Sequence, residues 1–200
     1  SIYATNFGYP EPAAKSFGLA GSYPASIFMR LGFHAYDAYT LMVVLWLFVA
    51  FWGAWKVARL FLLTPFSAAL LSILWLSTPV VWNHAGYSML SMGIGLLPFY
   101  FLSSLRIFYF KGEKRNKKIG MIGLYISSTI ISVFMDGYSF MMFAVGSSLI
   151  GGYVFYCHPK LRRKLLQFSF PVHIFSFSIA YFLYVTYIGT IQYSSAPLSF

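Results

Sequence analysis

Acidic side chains are rare in this 200-residue chain: Glu11, Asp37, Glu113 and Asp136 are the only four. Scarcity makes each a candidate for acid–base chemistry. A carboxylate can take a proton from an acceptor hydroxyl or hold a divalent cation through oxygen ligation. Asp136 stands in Phe134-Met-Asp-Gly-Tyr138, between two long apolar runs. Asp-Gly is also a turn dipeptide, and the aspartate can cap the helix after it. The turn-and-cap role and the chemical role stand as equal alternatives. Glu11 lies between Pro10 and Pro12 with no structural task visible in the sequence. Asp136 and Glu11 are therefore the catalytic candidates. Together with Asp37 they are the candidate ligands for Mg²⁺ or Mn²⁺, the one kind of cofactor the sequence suggests. Asp37 has a plain alternative role, favouring the dipole of the helix it opens.

Polar residues able to bind a substrate beside these carboxylates are Lys15, Arg30, His34, Asn83, His84, Tyr87 and Tyr138. Lys15 and Arg30 can hold a phosphate, or simply reach toward lipid headgroups. Asn83 and His84 can equally cap a helix. The chain carries no Walker loop, GxGxxG, HExxH, CxxC pair or GxSxG. Its four histidines are scattered, so no zinc site is expected. The single cysteine, Cys157, excludes an internal disulfide and is expected to be a buried or inert thiol.

The elements that must position these residues are long apolar runs. The chain is 59% apolar and 9% charged, against roughly a quarter charged in a soluble domain, and its mean hydropathy is +0.71. That composition calls for a lipid bilayer as solvent. Aromatic residues make up 22%, and Tyr and Trp favour membrane interfaces. The expected fold class is all-α: a polytopic transmembrane helical bundle of about six spans. They fall near 38–62, 66–81, 87–110, 118–135, 138–157 and 167–188. Pro98, with Gly93 and Gly95, is expected to kink the third. Gly146, Ser147, Ser148, Gly151 and Gly152 give the fifth a small-residue surface for close helix approach.

The net charge of +10 comes in blocks between the apolar runs, without the aromatic interleaving of a nucleic-acid surface. Lys56 and Arg59, the block from Arg106 to Lys118, and the block from Lys160 to Lys164 hold all the basic residues except Lys15 and Arg30. These blocks fall in alternate connectors. A basic excess marks the cytoplasmic side, so the other connectors, with Glu11, Asp37 and Asp136, face outward. The organisation expected is an extracytoplasmic loop with amphipathic helices over 1–36, the bundle over 37–189, and an extracytoplasmic segment over 190–200. Within the loop, "EPAAKSFGLAG" and "PASIFMRLGF" are expected to form short surface helices. Pro12 and Pro24 suit their first turns.

Three passages carry a family resemblance. They are the loop and first helix from Phe7 to Phe61, the hairpin "LSILWLSTPVVWNHAGYSMLSMGIGLLPFYFLSSLRI", and "FMDGYSFMMFAVGS". In layout the chain resembles the GT-C superfamily of polytopic glycosyltransferases, in particular the bacterial O-antigen glucosyltransferase and lipoteichoic-acid glycosylation types. The resemblance implies transfer of a sugar from a polyprenyl-phosphate donor to a cell-envelope glycan acceptor, at the extracytoplasmic face of the bacterial inner membrane. It also implies a catalytic carboxylate in the first outer loop. The chain opens inside what resembles that loop, so a piece of a longer protein is expected, with that carboxylate either Glu11 or upstream of Ser1. Two other functions remain open: a transporter or flippase for a lipid-linked glycan, and a non-catalytic partner in envelope assembly. The interrupted third helix suits a transporter. The near absence of mid-membrane charge does not suit an ion-coupled one.

Overall fold

The computed structural model describes residues 3–6, 9–14, 19–82, 88–109 and 115–194. A two-stranded antiparallel hairpin opens it: β1 (Tyr3–Asn6) and β2 (Tyr9–Ala14), with Tyr3 opposite Ala14 and Asn6 opposite Tyr9. All other regular elements among the described residues are helical. The hairpin corrects the first expected surface helix, because Glu11 falls in β2. Proline disfavours helical backbone in the residue before it, and Tyr9 and Glu11 each precede one. The second surface helix is present as α1 (Leu19–Arg30), but it starts earlier than expected. Pro24 therefore lies inside it rather than in its first turn.

Each of the six apolar runs is helical. The first is α2 (Ala35–Leu60), which at about 1.5 Å per residue is about 39 Å long. The second is split into α3 (Pro65–Leu76) and α4 (Pro79–Trp82). Ser77 and Thr78 lie between the two helices, as a residue before proline disfavours helical backbone, and Pro79 then restarts the helix where its missing N–H costs nothing. The third is split at Leu96 into α5 (Ser88–Gly95) and α6 (Leu97–Phe108). The Leu96 N–H still reaches Met92 O at 2.9 Å, and the Tyr100 N–H reaches Leu96 O at 3.1 Å. The hydrogen-bond ladder therefore continues across the break at Leu96. The Trp75 indole N–H donates to Gly95 O just before it, at 3.1 Å.

Next come α7 (Arg115–Met135) and α8 (Gly137–Cys157). A 3-10 turn (Pro159–Leu161), the short α9 (Arg162–Lys164) and a π-helical turn (Leu165–Ser169) lead into α10 (Phe170–Ser194). Helix α10 extends past 190, the expected start of a separate C-terminal segment. Four of the helical stretches are long and apolar enough to cross a membrane: Ala35–Leu60, Arg115–Met135, Gly137–Cys157 and Pro159–Thr186. Pro65–Leu76 and Met92–Phe108 are shorter apolar helices.

Helix α6 is the hub, packed against α2, α7 and α8. Tyr100, Leu102, Ser103, Ser104 and Ile107 on it are wholly buried. The small-residue face of α8 meets it as expected: a side chain at Gly146 would overlap the Phe101 ring, and a Cβ at Gly151 would lie 2.8 Å from Phe108. Val44, Phe48, Leu74, Met141, Leu149 and Phe182 are exposed on the outside of the bundle, more apolar surface than a water-soluble monomer leaves open. Of the two alternatives for Cys157, burial does not hold: it is exposed at the end of α8.

Candidate functional site

The carboxylate that the structure builds around is Asp136. It is the residue before α8, with extended backbone (φ −162°, ψ 156°), and its side chain caps that helix. The Ser139 N–H donates to Asp136 Oδ1 at 2.7 Å, and the Ser139 hydroxyl donates to Asp136 Oδ2. Both are acceptor bonds that a helix N-terminus offers an aspartate. The capping expectation is thus met, but the setting is unlike that of a surface cap, because Asp136 is only 7% exposed. Helix α5 presses on it at Gly93, where any Cβ would overlap Asp136 Oδ2 and crowd Ser139 Oγ. Gly93 was expected only to loosen a helix; here it is what lets α5 close over the carboxylate.

These contacts push the carboxyl in opposite directions. Burial raises the Asp136 pKa above the ordinary 3.8. Hydrogen bonds from the Ser139 hydroxyl and from the backbone N–H groups of Ser139 and Tyr138 lower it. Burial wins, so the proton is held more tightly than on a solvated aspartate. A carboxylate tuned upward is better matched to taking a proton near neutral pH.

Of the other expected site residues, only Tyr138, through its backbone N–H, bonds Asp136 among the described residues. Arg30 ends α1 and His34 precedes α2; both are exposed, and His34 makes no capping hydrogen bond with its side chain. Asp37 is exposed in the first turn of α2, as expected for a residue favouring that helix's dipole. Among the described residues, none of these three forms a hydrogen bond or ion pair with Asp136. Tyr138 is 68% exposed. Glu11 is placed by its backbone in β2. Lys15, Asn83, His84 and Tyr87 lie outside the described residues. Among the described residues no group of three His, Cys, Asp or Glu side chains is placed to hold a metal ion.

A second polar cluster, not anticipated, lies midway along the bundle. The Tyr125 hydroxyl on α7 and His173 Nδ1 on α10 are 2.6 Å apart, and Ser148 Oγ on α8 is 3.4 Å from His173 Nε2. Ser104 on α6 bonds Ser147 on α8 at 2.5 Å. The His173 ring lies 4.8 Å from Phe177 and 5.8 Å from Phe108, centroid to centroid. Its sequence signal was the depth of His173 and Tyr125 within apolar runs, where an ionisable group needs a partner. Among the described residues the Tyr100 hydroxyl is buried without a hydrogen-bond partner.

No known protein family, curated protein or solved structure matches this chain.

Proposed function

We propose that this chain belongs to an integral membrane glycosyltransferase of the GT-C kind. It moves a sugar from a polyprenyl-phosphate donor to a cell-envelope glycan on the extracytoplasmic face of the bacterial inner membrane. The four long apolar helices and the apolar outer surface support the membrane setting. The observation that carries the catalytic part is Asp136: a buried carboxylate at the end of the bundle away from the basic helix ends, with its pKa raised by burial. In this reading Asp136 deprotonates the acceptor hydroxyl as that oxygen attacks the anomeric carbon, and the polyprenyl phosphate departs as an anion. Arg30, at the end of α1, is a cation suited to the departing phosphate, and Lys15, outside the described residues, is the second candidate. Glu11 is the alternative base, and a divalent cation held by the carboxylates is the alternative means of stabilising the leaving group.

Asparagine caps a helix about as well as aspartate, so Asp136→Asn separates the cap from the base. Sugar transfer from a polyprenyl-phosphate donor by the purified protein is expected to fall by roughly 10²- to 10⁴-fold, with the protein still folded and its unfolding midpoint not lowered. Unchanged transfer in Asp136→Asn would remove Asp136 from the chemistry.

The Tyr125–His173 pair favours a second reading, a transporter or flippase for a lipid-linked glycan, since ionisable groups inside a bundle mark transport pathways. Flux of lipid-linked glycan across proteoliposomes that show no transfer, abolished in His173→Phe, would establish it over the first.

A further inference from the structure

At the end of the bundle opposite Asp136, the ends of α2 and α6 and the start of α7 enclose a groove of about 1020 Å³. Its walls are apolar, with Trp52, Leu105 and Leu124 among them, and Arg106 and Lys117 stand in its lining. Lys56 is held beside it, 5.8 Å from the Trp52 ring and 4.9 Å from the Trp55 ring. The first turn of α7 carries Arg115, Lys117 and Lys118 and no acidic residue. No acidic side chain lines the groove among the described residues. Gly120 opens it further, because a Cβ built there meets nothing within 4 Å.

An apolar trough with cations at the basic end of a helical bundle has the chemistry of a single amphiphile: an acyl chain along the wall and a phosphate at the cations. We propose that this groove is a binding site for an anionic phospholipid of the surrounding bilayer. Its phosphate sits between Arg106 and Lys117 and an acyl chain lies against Trp52, Leu105 and Leu124. The proposal rests on the membrane reading above but not on sugar transfer, since it concerns the opposite end of the bundle.

Trp52 is a reporter already in the groove. The full chain is reconstituted into phosphatidylcholine vesicles containing a minor fraction of phosphatidylglycerol, with bromine on the acyl chains of one lipid or the other. The quenching that disappears in Trp52→Phe isolates this tryptophan from the other four. Two headgroup-facing cations are expected to favour the anionic lipid at Trp52 by on the order of tenfold or more. Arg106→Gln with Lys117→Gln should abolish that preference while leaving the protein embedded. Gly120→Phe should fill the groove and reduce quenching by both lipids. Equal quenching by the two lipids, or a preference that survives the double substitution, overturns the site. Release of the protein by alkaline carbonate overturns the membrane reading itself and the site with it.

Discussion

Asp136 is a cap and a buried charge at once, and the two roles have opposite effects on its proton. Hydrogen bonds from Ser139 favour the ionised form, whereas burial under Gly93 disfavours it and prevails. A carboxyl whose folded pKa exceeds its unfolded value binds more protons in the folded state. Its contribution to stability is therefore present in full below the unfolded value of 3.8 and is lost as pH rises through the folded value. In its ionised form Asp136 is a net cost. Asp136→Asn keeps the cap without the charge, so the variant should unfold at a higher temperature than the parent at neutral pH. That advantage should vanish as pH falls below about 4. Unfolding midpoints in detergent across a pH series test this directly, and an advantage that grows on acidification would show that the cap, not burial, governs the site.

At the scale of the element, the α2–α3 connection holds an unusual backbone. Leu62 has φ +63°, the only positive φ on a non-glycine residue among those described. It follows α2 in the left-handed position that usually closes a helix with glycine, and its N–H bonds back to Arg59 O at 3.2 Å. The Arg59 guanidinium donates to Leu63 O, and the Trp55 indole N–H to Pro65 O, so this connection is held by side chains that both belong to α2. Leucine in that region costs about 1–2 kcal/mol relative to glycine. Leu62→Gly should therefore stabilise the protein by about 1 kcal/mol, seen as a raised unfolding midpoint, and a lowered midpoint would mean that the exposed side chain is worth more than the strain. Much at this scale was legible in the sequence. Uninterrupted apolar runs located the helices, and Pro79 and Pro98 stand where the second and third runs divide. The end of β2, from Glu11 to Ala14, falls where a surface helix is expected, because its small and charged residues suit either, and only the pre-proline restriction separates them. The pairing of Tyr125 with His173 was hidden for a different reason. Helices α7, α8 and α10 are apolar on most sides, so the sequence does not say which face of one meets which face of another.

For the whole molecule, the placing of the basic blocks in alternate connectors has a spatial counterpart. Arg106, Tyr109 and Lys117 line one groove with the end of α2. The Tyr109 ring lies 5.5 Å from His158 after α8, and Ser169, at the end of the π-helical turn before α10, donates to Ile107 O at 2.7 Å. The basic ends of the helices are thus gathered at one end of the bundle, while Asp136 and Gly93 meet away from them. Charge asymmetry of this kind orients a helical bundle with the basic end in the cytoplasm, and the protein carries its own probe of that orientation. Cys157 is the single cysteine and is exposed at the end of α8, next to the basic turn. Tyr138, one residue into α8 at its other end, is exposed as well. A membrane-impermeant maleimide should leave Cys157 unlabelled in intact spheroplasts and label it after lysis. In a chain carrying Cys157→Ser and Tyr138→Cys, the reagent should react before lysis. Reversal of both results would invert the bundle and place the Asp136 end in the cytoplasm, where a sugar donor on the extracytoplasmic face could not reach it. Labelling of both positions in intact spheroplasts would mean that α8 does not cross the bilayer at all.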